Sequence, residues 1–254
     1  MDNNSTSFYD EFASKYDVMI PDERYQRMIP FFIKIFQENK VKTILDCASG
    51  TGKHAIAFSK LGYKVEGCDS NPKMVEQAKI NAHAQEAKVN FIQADFKKLA
   101  EAFSRKFDCV ICVGNSLSHE LEDSGVMSAL RSINEVLNDG GTIIVQIRNL
   151  PKLIKNNTRI FPVHHQKEPN GDVKLFFYVL DFDPSKVTFN VVSYIEENGI
   201  PKFNVYLVDY NIMAEHELVS NMAQSGFKEL TSYGSFKFEK FDSESENIIV
   251  VGRK

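Results

Sequence analysis

The sequence predicts an α/β fold, a doubly wound parallel sheet carrying an antiparallel β insertion after its fifth strand. Three observations lead there. Between Val41 and Arg148, short apolar β-type runs alternate with helical patterns five times, the texture of a parallel sheet with crossover helices. At Ile44-Leu45-Asp46-Cys47-Ala48-Ser49-Gly50-Thr51-Gly52 an apolar run closes on an acid, passes through a small-residue turn and opens into the helical pattern His54-Ala55-Ile56-Ala57-Phe58. Such a turn lets backbone approach a ligand where a Cβ would collide, with free helix N–H groups behind it. Beyond Pro151 the chain becomes β-rich with short turns, which implies antiparallel strands.

Length and charge narrow the function. At 254 residues the chain can hold one large α/β domain with a modest insertion. A hydrophobic share of 43% without an apolar run near 18 residues predicts a soluble globular protein. The net charge of -4 gives no basic footprint for nucleic acid or an anionic membrane. Residues 1 to 7 are polar and predict no signal peptide. Cys47, Cys68, Cys109 and Cys112 all lie in or beside apolar runs and read as reduced core thiols of a cytoplasmic protein. Cys109 and Cys112 have the spacing of half a zinc site, but within a strand that spacing puts them on opposite faces, so no metal is expected.

In chain order, Phe8, Tyr9, Phe12 and Tyr16 fall at helical spacing. They form either an amphipathic packing helix or an aromatic closure over a cationic ligand. After Pro21-Asp22, a second helix is expected from Arg24 to Glu38, with Met28, Ile29, Phe32 and Phe36 on one stripe. Arg24 is either a solvated charge or a fork for a carboxylate. The loop Asp46-x-Ala48-x-Gly50-x-Gly52 departs from the three-glycine dinucleotide pattern, and no Gly-Lys-Ser/Thr follows it as a phosphate loop requires. Strand two, Lys64 to Asp69, ends in an acid that Asn71-Pro72 leaves free by capping the next helix, expected through Ala82. Asp69 then suits a ribose diol, or a simple turn.

Strand three, Val89 to Ala94, ends at Asp95-Phe96, and strand four, Cys109 to Val113, at Gly114-Asn115-Ser116-Leu117-Ser118-His119. Polar groups at carboxyl strand ends lie where open α/β sheets bind ligands. A helix from Gly125 to Leu137, a turn at Asn138-Asp139-Gly140-Gly141 and strand five, Thr142 to Ile147, lead to Arg148-Asn149. The insertion offers strands at Val173 to Leu180, Val187 to Ile195 and Phe203 to Tyr210. On the middle strand Val187, Phe189, Val191 and Ile195 share a core face, leaving Thr188, Asn190, Val192 and Tyr194 on one that could line a pocket. A helix from Ala214 to Gln224 stops at Gly226, and Phe227 to Tyr233 with Asn247 to Val251 supply two last strands.

This order of motifs resembles a class I S-adenosylmethionine (SAM) dependent methyltransferase. Gly114-Asn115-Ser116 with His119, Arg148-Asn149 and the upstream Arg24 are similar to the glycine and glycine/sarcosine N-methyltransferase group. The resemblance implies a Rossmann-like seven-stranded sheet and SAM as cofactor. It divides the chain into an N-terminal helical lid (1–40), a SAM-binding core (41–150), a β insertion capping the substrate (151–213) and a C-terminal helix and hairpin completing the sheet (214–254). It assigns Ala48 and Gly50 to the methionine end of SAM, Arg24 to its carboxylate, Asp69 to its ribose, and Asp95 with Phe96 to its adenine. Tyr9, Tyr16, Asp46, Ser70, Met74 and Val113 complete the cofactor contacts, and His119 is a cofactor contact or a proton acceptor. Asn115 and Arg148 would hold the acceptor, with Tyr194 beside its amine. The activity implied is methyl transfer to a small amine such as glycine or sarcosine. Other family tyrosines fall opposite Leu207 and Val208, which fits a somewhat different amine or carboxylate acceptor. A methyltransferase for another oxygen or nitrogen nucleophile, an NAD-dependent oxidoreductase and a non-catalytic SAM-binding protein are the alternatives. Oligomeric state is unreadable from the sequence.

Overall fold

The computed structural model describes residues 8–10, 13, 22–161, 164–167, 173–197 and 199–254. A seven-stranded sheet runs in the order β3-β2-β1-β4-β5-β11-β10, built from β1 (Thr43–Asp46), β2 (Lys64–Asp69), β3 (Val89–Gln93), β4 (Phe107–Cys112), β5 (Leu137–Arg148), β10 (Lys228–Tyr233) and β11 (Asn247–Arg253). β1 to β5 pair in parallel, and β11 is antiparallel to both β5 and β10. Chain order reverses between β1 and β4, so the connections leaving these strands diverge and open a crevice at their carboxyl ends.

Each face of the sheet carries a core. On one, α1 (Asp22–Glu38), α2 (Lys53–Lys60) and α3 (Pro72–Ala84) bury Phe31, Phe32, Phe36, Phe58 and Ala78 against Ile44, Phe91, Cys109 and Ile111. On the other, α5 (Asp123–Val136) and α7 (Glu215–Gln224), with the short α4 (Leu99–Ala102), bury Leu130, Ile133, Leu218 and Met222 against Leu45, Val110 and Cys112. The two thiols of Cys109 and Cys112 therefore belong to opposite faces, and all four cysteines are free and buried. α1 starts two residues before the expected Arg24. α3 begins as expected, with Asn71 accepting from the N–H groups of Lys73 and Met74 and Pro72 in the first turn.

One expected turn is a bulge. Asn138-Asp139-Gly140-Gly141 lies inside β5, where pairing jumps from Phe107↔Leu137 to Cys109↔Thr142. Gly140 at φ 73° absorbs the extra residues.

After α6 (Leu150–Lys155) the insertion forms its own antiparallel sheet, β6-β7-β8-β9, from β6 (His164–Lys167), β7 (Val173–Phe182), β8 (Lys186–Glu197) and β9 (Ile200–Asn211). The expected strands are all there. β6, His-His-Gln-Lys, has no apolar alternation to announce it and exists by pairing with β7. Val187, Phe189, Val191 and Ile195 pack with Phe8, Leu150, Leu153 and Phe176, so they are the core face. No helix among the described residues is long and apolar enough to cross a membrane.

Gly52 and Gly67 share one neighbour. A Cβ on Gly52 (φ 85°) would lie 2.6 Å from the ring of Phe91, and one on Gly67 2.5 Å from the same ring. Gly50, also left-handed at φ 52°, has nothing within 4 Å of its missing Cβ. Both loop substitutions to alanine incur the left-handed penalty of about 1 kcal/mol, and Gly52→Ala adds an overpacking cost of about 1–3 kcal/mol. Urea denaturation should show Gly52→Ala clearly less stable than Gly50→Ala; equal losses would mean that the Phe91 contact is inconsequential.

Candidate functional site

A cleft with about 710 Å³ of empty space, counting its open mouth, lies at the crevice. Its floor is the β1–α2 loop from Cys47 to Thr51, its sides the ends of β2 and β4 with Phe96 and Met74, and its roof Tyr9, Tyr25 and His119. Of the residues named as cofactor contacts, Tyr9, Ala48, Gly50, Asp69, Ser70, Met74, Phe96, Val113 and His119 line it. Tyr16 lies outside the described residues. Arg24 sits in the first turn of α1, and its side chain is likewise outside them.

Two of the loop's backbone N–H groups tie it to β2. The N–H of Ser49 donates to the Cys68 carbonyl at 2.8 Å, and the N–H of Gly50 donates to Asp69 at 2.9 Å. The other Asp69 oxygen accepts from the N–H of Asn71 at 2.9 Å. Each oxygen keeps a lone pair for a further donor. Burial raises the Asp69 pKa, and the two N–H groups oppose that rise.

Asp46, at the end of β1, is 1% exposed, and neither carboxylate oxygen has a hydrogen-bond partner among the described residues. Its pKa is pushed up to about 7, first by burial and then by the charge of Asp69. The N–H groups of Ala48 and Ala55 point toward it and offset part of the rise without closing bonds of normal geometry. Ser49 Oγ and His54 Nε2 are also buried without a partner. Burial and then Lys53 lower the His54 pKa to about 4, so its imidazole is neutral.

Asp95 and Phe96 part ways. Phe96 is 6% exposed and lines the cleft. Asp95 does not line it: one oxygen accepts from the N–H of Lys97 at 2.8 Å, capping a 3₁₀ turn, and the other lies 3.9 Å from the Lys97 ammonium.

The roof joins three distant segments. The Tyr9 hydroxyl and His119 Nε2 are 2.9 Å apart, and the His119 ring packs 4.7 Å from that of Tyr210 on β9. Asn71 donates its side-chain N–H to Asp10 at 2.8 Å, and Phe8 packs 5.6 Å from Tyr206. Burial pushes the Tyr210 hydroxyl up to about 12, and Arg148 partly offsets this. Arg148 itself stacks its guanidinium 4.8 Å over Phe161. Asn115, at φ 68°, accepts from Gln146 at 3.2 Å.

Tyr194 is not brought to the cleft. It lies opposite Phe203 on β9, which is 65% exposed, and its hydroxyl donates to Glu196 at 3.1 Å. The tyrosines sharing the core face of this sheet are Tyr178 and Tyr206, both paired with Val191, and Tyr210, paired with Val187. Alternation in the sequence separates the two faces without telling which one reaches the cleft roof, as Tyr210 does against His119. Tyr25, Lys53 and His54 were also missed. Lys53 lies 4.9 Å over the Tyr25 ring and the His54 ring 4.9 Å from it. Lys53 and His54 had one sequence signal, their position in the first turn after the glycine loop, and Tyr25, in α1, had none. Asn149 is structural: it caps α6 and donates to the carbonyls of Ser243 and Ser245.

Residues 44–141 match the family model of a methyltransferase domain. The chain is 25% identical to a glycine/sarcosine N-methyltransferase of Parasynechococcus marenigrum (strain WH8102) over 237 residues, covering 93% of this chain and 81% of that protein. It is 26% identical to a protein of the same name from Aphanothece halophytica, covering 100% and 92%. The crystal structure of a SAM-dependent methyltransferase from Clostridium acetobutylicum ATCC 824 superposes with a TM-score of 0.82 at 18% identity, covering 96% of this chain and 98% of that one.

The buried acid gives the site a pH signature. A carboxyl whose folded pKa lies near 7, against 3.8 for the free group, makes the unfolded chain release its proton first, so stability falls as pH rises from about 4 to 7 and then levels. Asp46→Asn should remove that decline and be about 2–4 kcal/mol more stable than the parent at pH 8. Thermal melts between pH 5 and 8 check this; parallel curves for both proteins would overturn it.

Proposed function

Because this chain is a class I SAM-dependent methyltransferase, we propose that its acceptor is a small amine bearing a carboxylate, an amino acid of the glycine or sarcosine kind. The observation that carries this is Arg148 at the end of β5, whose guanidinium stacks on Phe161 and whose charge reaches Tyr210, the ring packed on His119 of the cleft roof. An arginine held flat on a ring presents a rigid fork suited to a carboxylate. The names of the relatives above point the same way.

The cleft fits SAM by its chemistry. Asp69 keeps lone pairs at the end of β2 where a ribose diol would donate, and Phe96 and Met74 offer apolar walls to a purine. Gly50 leaves open space for the methionine chain, and the orphaned polar atoms of Asp46, Ser49 and His54 line or underlie the floor. SAM supplies a methyl group on a positively charged sulfur that is already a good leaving group. Ala48, Gly50, Ser70, Val113 and His119 then position it, and Tyr9 closes over it.

Little side-chain chemistry remains. Arg148 and Asn115 hold the acceptor carboxylate so that its neutral amine faces the methyl, and such alignment supplies up to about 7–11 kcal/mol. The insertion caps the substrate and excludes water with Phe189 and Tyr210. Tyr210 and Tyr178, which share its inward face, take the amine-facing place that Tyr194 had in the sequence reading. No dedicated general base is required once the amine binds neutral.

Methyl transfer from labelled SAM to glycine, sarcosine and dimethylglycine, read by product mass, tests the acceptor; turnover of amines without a carboxylate alone would overturn it. Arg148→Lys should raise the acceptor KM about 10–100-fold, since a point charge does not replace a fork, with SAM Kd unchanged. Asp69→Ala should weaken SAM binding about 10–100-fold in calorimetry, the loss of a charge-assisted bond. Loss of SAM binding in Arg148→Lys would assign that arginine to the cofactor instead.

A further inference from the structure

We propose that Gln146 is the positioning residue of the acceptor site, locking the Asn115 amide so that only its NH₂ end faces the acceptor and an oxygen acceptor atom is selected there. This rests on the reading of Asn115 and Arg148 as the residues that hold the acceptor carboxylate.

Gln146 is 5% exposed on β5, two residues before Arg148. Its Oε1 accepts from the backbone N–H of Gly114 at 2.8 Å. A backbone N–H can only donate, so this bond decides which end of the Gln146 amide is oxygen. The two hydrogens on Nε2 then go to Asn115 Oδ1 at 3.2 Å and Asn247 Oδ1 at 3.1 Å. Asn115 in turn has its oxygen committed inward. Its Nδ2 has no partner among the described residues and is not sealed from solvent. Asn115 can thus offer donors only, and the substrate atom it meets must accept.

The same amide holds the loop backbone. Gly114 at φ 82° and Asn115 at φ 68° both sit in the left-handed region, and the N–H bond to Gln146 fixes the first of them. Asn247 is the direct cross-strand neighbour of Arg148. One buried amide therefore links the loop that carries Asn115 to the strand pair that carries Arg148, and an acceptor lacking an anionic oxygen leaves both donor sets unmatched.

Gln146→Glu keeps an acceptor for the Gly114 N–H but has no hydrogen for Asn115. Asn115 then rotates to donate inward and turns its oxygen toward the acceptor. Sarcosine and acetate binding to the chain saturated with S-adenosylhomocysteine, measured by calorimetry, should weaken at least 10-fold, with S-adenosylhomocysteine affinity within 2-fold of the parent. In an Asn115→Ala background the same change should add less than 2-fold, because the relay acts through Asn115. Gln146→Met, which removes both ends of the relay, should show the same non-additivity and serves if the glutamate variant does not fold. Full additivity in the double variants would overturn the relay while leaving the acceptor site intact. Asn115→Ala with unchanged carboxylate binding, or a parent chain that binds neither carboxylate, would overturn the acceptor reading and the relay together.

Discussion

The ring of Phe91 is the contact on which the cleft depends. It fills the space that Cβ atoms on Gly52 and Gly67 would occupy, so β3, the glycine loop and β2 close onto one aromatic side chain. Seated that way, the loop brings the Gly50 N–H to Asp69, and a strand-end acid becomes an oriented acceptor pair beside open space. Two glycines answer to packing and a third to space for a ligand, although the sequence presents them alike.

The inserted sheet completes what the parallel sheet begins. Its core face takes Phe8 into its own cluster, and through Tyr210, His119 and Tyr9 it reaches the cofactor end of the cleft. A segment near the start of the chain, the end of β4 and the end of β9 thus form one roof, and the long sequence separations involved are bridged by aromatic packing with one hydroxyl–imidazole bond. Such a roof excludes water from a reaction whose main requirement is alignment.

The electrostatics of the site follow from burial. Asp46 and Asp69 sit at neighbouring strand ends with no cation bonded to either among the described residues; burial raises the cost of ionising both, and the charge of Asp69 raises it further for Asp46. A positive charge near these strand ends lowers that cost, since it favours the ionised carboxylate. Neutral His54 beside Lys53 fits the same floor.

The sequence by itself determined the five β-α units, the glycine loop, the free acid Asp69, the Asn71-Pro72 cap and the opposite faces of Cys109 and Cys112, because each is a local pattern of period, turn chemistry or capping. It also gave the strands of the insertion, apart from β6, which exists only through its partner. The tertiary structure decided which face of the inserted sheet reaches the cleft roof, setting Tyr194 away from it and Tyr210 against His119. It also drew Asp95 away into a cap and brought Gln146, Asn115 and Asn247 into one network. Alternation and spacing record which side of an element a residue occupies, but what lies across from that side depends on how separate elements pack.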